Sequence, residues 1–139
     1  MITLLELYDI ADQEGIDVDC IDLVKRESLA IMDDGNCYIA IDPFKLTSSI
    51  DEKVKLSHEL GHCLTGSFYN QYTPFDERWR NETKANRWAI KKLLPYEEMR
   101  AAMKSGYREV WELAEYFEVP EDLIRQAIEY YTGPCGLSF

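Results

Sequence analysis

The strongest constraint on this chain is the placement of its histidines, His58 and His62, in the sequence HELGH. They are the only two histidines, and they stand four residues apart in a stretch with helical periodicity. Four residues advance an α-helix by about 6 Å and about 400°, so both imidazoles project from one face and can converge on one cation. The spacing therefore predicts a metal-binding helix, to which the rest of the fold must bring another ligand.

Two further residues of the motif support this interpretation. Glu59 is turned by about 100° from His58, which keeps its carboxylate off the metal but beside an open coordination position. Zinc lowers the pKa of its bound water to about 7, so Glu59 is the predicted general base. Gly61 costs a helix about 1 kcal/mol relative to alanine, so we expect a close neighbour there. A surface helix with two histidines by chance would explain neither feature.

A third ligand must come from elsewhere, and without a third histidine it must be Asp, Glu or Cys. The best candidate is Glu82, which shares one face of a predicted helix with Ala85, Asn86 and Ala89. The alanines would allow close helix packing, and Asn86 would be placed to hydrogen-bond a ligand histidine. Zn²⁺ is the favoured metal for two histidines and a carboxylate, although Mn²⁺ or Fe²⁺ could also occupy such a site.

Other polar residues near the motif are weaker candidates. Asp76 and Glu77 could offer a carboxylate, but acidic residues at the start of a helix ordinarily stabilise its dipole. Cys63 directly follows the motif, and its direction on the helix diverges from that of the histidines. Tyr69 and Tyr72 could stabilise an oxyanion, although loop tyrosines are more often packing or surface residues.

Hydrophobic periodicity predicts an α+β fold, mostly helical, with the metal helix beside a small sheet and further helices at the C-terminus. Residues 28–32 and 37–41 form a predicted hairpin. Ser49 and Glu52 have capping-box spacing at the start of the metal helix. We expect the strand 37–41 to present a free edge for an extended peptide. Helices are predicted over 3–14, 50–65, about 76–94, 95–106, 107–117 and 120–131.

Length and composition fit one domain over residues 1–131, with a mobile tail at 132–139. No stretch reaches the roughly 20 apolar residues of a membrane span, and the first residues lack a secretory pattern. We therefore expect a cytoplasmic protein without membrane contact. The four cysteines are scattered singly, which favours buried or incidental thiols over any redox or metal role.

The charge balance, 15 basic against 26 acidic residues and a net charge of −11, repels phosphate backbones. Direct nucleic-acid binding is therefore not expected. The acidic surface either serves solubility alone or attracts a basic partner, and composition does not separate the two. We expect partner selection in the loop 67–75 and in residues 107–131, where glutamates recur every three positions. These four, Glu109, Glu112, Glu115 and Glu118, could equally be a solvated helix face.

HELGH followed about twenty residues later by NETKANRWAIKKLLP resembles the ImmA/IrrE family of metallopeptidases, whose second motif runs roughly E-x-x-A-N-x-F-A…L-L-x-P. The resemblance covers both predicted metal-site helices and, more loosely, residues 1–100. Lys84 stands where many relatives have Glu, and Trp88 where Phe is usual. Neither departure affects the proposed ligands. The resemblance implies a zincin-like fold, with ligands His58, His62 and Glu82 and with Glu59 as the base.

The resemblance also implies a biological role. Members of the family often lie on mobile elements or prophages beside a helix-turn-helix repressor, and relieve repression by cleaving it where proteolysis is established. The implied activity is a metallo-endopeptidase acting on a basic DNA-binding repressor. Two alternatives stay open: a metal-bearing antirepressor that binds without cutting, and a component of a toxin–antitoxin module. Glu59 favours chemistry, because a structural zinc site needs no base and normally has four protein ligands.

Overall fold

The computed structural model describes all 139 residues, with six α-helices and three β-strands. The predicted α+β class is confirmed. None of the helices combines the length and the apolar character that crossing a membrane would require. In chain order the elements are α1 Leu4–Gln13, β1 Asp17–Cys20, β2 Ser28–Asp33, β3 Asn36–Ile41, α2 Ser49–Thr65, α3 Phe75–Leu93, α4 Tyr96–Lys104, α5 Val110–Phe117 and α6 Glu121–Thr132.

The three strands form one sheet in the order β1-β3-β2. β2 pairs with β3 as the predicted antiparallel hairpin, with Ala30 opposite Ile39. β1 pairs with the other side of β3 in parallel, with Val18 opposite Ile39. The prediction of a free edge on residues 37–41 is therefore wrong, because β3 is paired on both sides. β2 is the edge strand of the hairpin.

Residues Ile2–Ala89 form one compact unit. The alternation predicted for β3 is confirmed, and the helices α1 and α2 pack with the sheet around one core. A hydrogen bond from the Tyr8 hydroxyl to Glu52 Oε2, 3.0 Å long, joins α1 to α2. This core therefore holds the metal helix against the sheet. Its buried apolar side chains include Leu7, Ala11, Ile39, Ile41, Leu56 and Leu60.

The start of α2 differs from the prediction by one residue. Ser48 is the N-cap, and its Oγ accepts a hydrogen bond from the Asp51 backbone N–H at 3.1 Å. Ser49 is already helical, so the predicted capping box between Ser49 and Glu52 does not form. Gly66 ends the helix with a φ of 65°, a left-handed conformation that glycine adopts without strain.

Met1 and Ile90–Phe139 form the second compact unit, in which α5 packs with α6. The Tyr131 hydroxyl donates a 2.7 Å hydrogen bond to the Leu94 carbonyl. The tail folds back, since the Leu137 N–H donates to the Tyr131 carbonyl at 2.8 Å and the Phe139 ring lies 5.1 Å from that of Tyr96. The mobility predicted for residues 132–139 concerns motion and stays a prediction.

Candidate metal centre

The structure brings His58, His62 and Glu82 together into one cluster. Nε2 of His58 lies 2.8 Å from Oε2 of Glu82, and Nε2 of His62 lies 3.1 Å from Oε1 of Glu82. The two imidazole centroids are 4.8 Å apart, and the rings stand almost perpendicular. All three potential ligand atoms lie within 4.8 Å of one another. A helix turn of α2 and one carboxylate of α3 thus converge on one point.

These distances fit a bound divalent ion. Ligand atoms 2.0–2.2 Å from a tetrahedral zinc ion are about 3.3 Å from each other. The two histidine–Glu82 distances, 2.8 and 3.1 Å, are slightly shorter than this, and the widest separation in the cluster is at most 4.8 Å. The donors are two imidazole nitrogens and a carboxylate, and three protein ligands leave a position open for a reactant. The cluster could therefore hold a metal ion with small adjustments of its side chains.

The contact between Gly61 and Ala85 allows α3 to deliver Glu82. A Cβ atom at position 61 would lie within 3.0 Å of three backbone atoms of Ala85, which is itself fully buried. Ala89, one turn further along α3, is also buried. The prediction that Gly61 and the alanines serve a close helix approach is confirmed.

A second group holds His62 in position. Nδ1 of His62 donates a 2.5 Å hydrogen bond to the Ser67 carbonyl, so in the neutral ring Nε2 is left unprotonated and faces the cluster. Ser67 was not predicted as part of the site. Gly66 was the sequence signal that could have indicated it. The chain turns back after this helix-ending glycine, which brings the carbonyl of the next residue to the end of α2. Asn86 is half-buried one turn beyond Glu82, and its hydrogen bond to a ligand histidine stays a prediction.

The ionisable groups of the cluster stabilise one another's charges. Hydrogen bonds from His58, then from His62, hold the pKa of the Glu82 carboxyl far below its usual range although burial opposes this. Burial lowers the pKa of His62, but the bonds to Glu82 and to the Ser67 carbonyl outweigh it, and the net pKa is raised. Glu82 is therefore a carboxylate, the form that binds a metal.

Glu59 lies in the same cleft but outside the cluster. The cleft has a volume of about 170 Å³. Glu59 is only 6% exposed, and its Oε2 accepts a 2.7 Å hydrogen bond from the Ser28 hydroxyl. The separate position predicted for Glu59 matches this geometry. Besides the four motif residues, the cleft is lined by Arg26, Ala30, Phe68 and Tyr69, of which only Tyr69 was predicted.

The structure separates the two predicted tyrosines. The Tyr69 hydroxyl donates a 2.7 Å hydrogen bond to Glu82 Oε1. Burial raises the pKa of Tyr69, and the bond to Glu82 raises it further, so Tyr69 is a neutral hydrogen-bond donor at neutral pH. Tyr72 is 84% exposed and does not line the cleft. Neither Asp76 nor Glu77 belongs to the ligand cluster.

A peptidase family described as the IrrE N-terminal-like domain matches residues 24–129, which is more than half of the chain and includes every residue of the cleft. The chain belongs to this family. The resemblance inferred from HELGH and NETKANRWAIKKLLP is thus confirmed, and family membership supports a metallopeptidase type of function. No match was found among curated proteins or among solved structures.

Two cysteines beside the site do not remain single thiols. Cys37 of β3 and Cys63 of α2 form a disulfide, with their Cα atoms 5.8 Å apart. The expectation of isolated thiols is therefore wrong for this pair, and it holds for Cys20 and Cys135, which are free and exposed. The two bonded residues are 26 positions apart in the sequence, so no local spacing pattern could predict their pairing. The disulfide ties the sheet to α2 one residue after His62.

Proposed function

We propose that the protein is a zinc-dependent endopeptidase that acts in the cytoplasm on a DNA-binding repressor. The main support is one juxtaposition: a two-histidine, one-carboxylate cluster shares a cleft with a buried glutamate that is not part of the cluster. A purely structural metal site would need a fourth protein ligand and no such glutamate. The arrangement suits hydrolysis, in which a proton must move while a polarised carbonyl is attacked.

Each side chain then has a defined task. Zn²⁺ held by His58, His62 and Glu82 would supply a Lewis acid that polarises the scissile carbonyl and acidifies a water; Mn²⁺ or Fe²⁺ could do the same. Glu59 takes the proton of the attacking water and passes it to the leaving amine. The Tyr69 hydroxyl, which lines the cleft and donates to Glu82 Oε1 in the absence of substrate, would exchange that bond for one to the oxygen on which negative charge develops.

The edge of β2 is the proposed docking line for the substrate main chain. The Glu27 carbonyl accepts a 2.9 Å hydrogen bond from the Asp42 N–H. Glu27 and Asp42 are therefore hydrogen-bonded partners, and this sets which residues of β2 bond to β3 further along the hairpin. By the alternation of an antiparallel ladder, the N–H and C=O of Ala30 then point away from β3. The Ala30 side chain lines the cleft. A peptide that pairs with this edge as an added strand would therefore run past the metal cluster.

The choice of a repressor as substrate rests on the family resemblance and on charge. A net charge of −11 favours encounter with a basic protein and disfavours nucleic acid. The glutamates predicted as a recognition face are not equivalent. The Glu109 N–H donates to Glu112 Oε1 at 3.3 Å, and Glu118 follows the end of α5 with a φ of 54°. Glu109 and Glu112 thus cap the helix, which leaves Glu115 as the better probe of binding.

The decisive experiment incubates the purified zinc-loaded protein with the helix-turn-helix regulator encoded beside it and identifies fragments by mass spectrometry. Glu59→Gln is the matched control, because it keeps the shape of the side chain and the ligand cluster. We expect a defined cut with wild type, none with Glu59→Gln, and none after chelation of the metal.

Two other results would contradict the proposal in different ways. Release of the regulator from DNA without any cut, equally by wild type and Glu59→Gln, would identify a binding antirepressor. If the regulator stays intact but wild type cuts a mixture of unrelated peptides in a Glu59-dependent manner, the peptidase stands and the repressor is the wrong substrate.

A further inference from the structure

Ser28 is the one hydroxyl that the structure directs at the predicted base. Its Oγ donates to Oε2 of Glu59 over 2.7 Å, although the residues are 31 positions apart. Ser28 is the first residue of the edge strand β2 and does not line the cleft itself. A hydrogen bond to an ionised group is stronger than one between neutral partners, so this contact can fix the orientation of the carboxylate.

The backbone around Ser28 is held from two sides. The Glu27 carbonyl accepts from the Asp42 N–H at 2.9 Å, which anchors the strand to the end of β3. The Glu27 carboxylate lies 2.6 Å from Nζ of Lys55, which is one helix turn before Glu59 on α2. The start of β2 is thus tied to the segment of α2 that carries the base. Ser28 is therefore a fixed donor and not a freely moving surface hydroxyl.

We infer that Ser28 is a positioning residue that sets the direction of the Glu59 carboxylate; the inference rests on the proposed hydrolytic function. The terminal torsion of a glutamate side chain is broad, so an unbound carboxylate samples many orientations. The bond occupies Oε2 and leaves Oε1 for the proton that Glu59 must accept. A hydroxyl also orients the base without adding a positive charge beside it, as a lysine would.

The same contact connects substrate docking to the base. Ser28 and Ala30 are two residues apart on β2, so their side chains lie on the same face of the strand. That face is turned towards α2, since Ser28 reaches Glu59 and Ala30 lines the cleft. A peptide paired with β2 would consequently be held by the same strand that orients Glu59, which keeps the scissile bond and the base in register.

The test compares Ser28→Thr with Ser28→Val. Both side chains are β-branched, suit a strand and have nearly the same shape, so they differ chiefly in the hydroxyl. We expect Ser28→Thr to keep most of the activity, and Ser28→Val to lose about 10- to 100-fold in kcat with little change in KM. Zinc content should stay at one equivalent in both. Ser49→Ala, which removes an exposed hydroxyl at the start of α2, is the control and should match wild type.

One further measurement separates positioning from folding and from the proposed function. In crystals of zinc-loaded Ser28→Val, the Glu59 side chain should turn away or lose order, a result that does not depend on turnover. Equal kcat for Ser28→Thr and Ser28→Val, or an unmoved Glu59, would overturn the inference. Absence of hydrolysis by wild type would instead refute the proposed function and leave the crystallographic comparison to decide on Ser28.

Discussion

Gly61 of α2 packs against the backbone of Ala85 of α3, so closely that even one methyl group at position 61 would collide with it. We predict that Gly61→Ala lowers the free energy of unfolding by about 1–3 kcal/mol through overpacking, although alanine is the better helix former by about 1 kcal/mol. It should also weaken zinc binding, because α3 carries Glu82. Urea unfolding and zinc titration measure both effects. An unchanged stability would mean that α3 can shift without cost.

The ligand set predicts a sharp division among four variants. His58→Ala, His62→Ala and Glu82→Ala should each bind less than one equivalent of zinc, whereas Glu59→Gln should bind a full equivalent and lose turnover. Elemental analysis of the purified proteins provides the measurement. Full zinc content in Glu82→Ala would show that Glu82 is not the third ligand.

Substitutions in β2 test the proposed docking edge. Ala30→Pro removes an N–H that points away from β3, so we expect normal zinc content and stability but impaired cleavage of a protein substrate. Ala30→Val keeps the N–H and controls for side-chain bulk in the cleft. Leu29→Pro should destabilise the fold outright, because the Leu29 N–H points towards β3. Undiminished cleavage by a folded Ala30→Pro variant would remove this edge from substrate binding.

The disulfide between Cys37 and Cys63 predicts that stability depends on redox conditions. It closes a loop with a sequence separation of 26, for which chain entropy gives about 3.5 kcal/mol of stabilisation. A reducing agent should lower the Tm of wild type and leave that of the double variant Cys37→Ala/Cys63→Ala unchanged. A reductant-independent Tm for wild type, together with two titratable thiols beyond Cys20 and Cys135, would argue against the bond in solution.

Asp42 predicts a pH-dependent contribution to stability. Its carboxylate accepts hydrogen bonds from the Leu23 and Phe44 N–H groups and pairs with Lys45 at 2.9 Å. The Lys45 contact, followed by the Leu23 N–H, lowers the pKa of Asp42 in the folded protein. The stabilisation is therefore complete above the unfolded pKa of about 3.9 and is lost as the pH falls through the lower folded pKa.

The measurement compares the unfolding free energy of wild type with that of Asp42→Asn. The difference should be constant between about pH 5 and pH 8 and should shrink below about pH 4. Asp9→Asn, a change at an exposed position of α1, is the control and should give no such difference. If the difference in unfolding free energy stayed the same below about pH 4, the charge of Asp42 would not be the source of its stabilising effect.

The sequence predicted the features that depend on neighbouring residues and missed those that depend on residues far apart in the chain. His58 and His62 are placed by one helix turn, and Gly61 with Ala85 marks a helix contact by residue size alone, so these features were accessible. Ser28 and Glu59 meet across 31 residues, and Cys37 and Cys63 across 26. Helical and strand periodicity carry no information about such long-range contacts. β1 escaped prediction because it is short and mostly exposed, and only its pairing with β3 makes it a strand.

The open edge of β2 has a consequence for self-association of the protein at high concentration. An edge that can accept a peptide can also accept the same strand of a second copy, which is how sheets extend into aggregates. Ile31 and Met32 on this strand are about half exposed, at 50% and 46%. Every copy carries a net charge of −11 at neutral pH, and this repulsion acts against pairing between copies. The acid-rich composition thereby opposes aggregation through the exposed edge of β2. This repulsion weakens as the pH approaches the isoelectric point near 4.6.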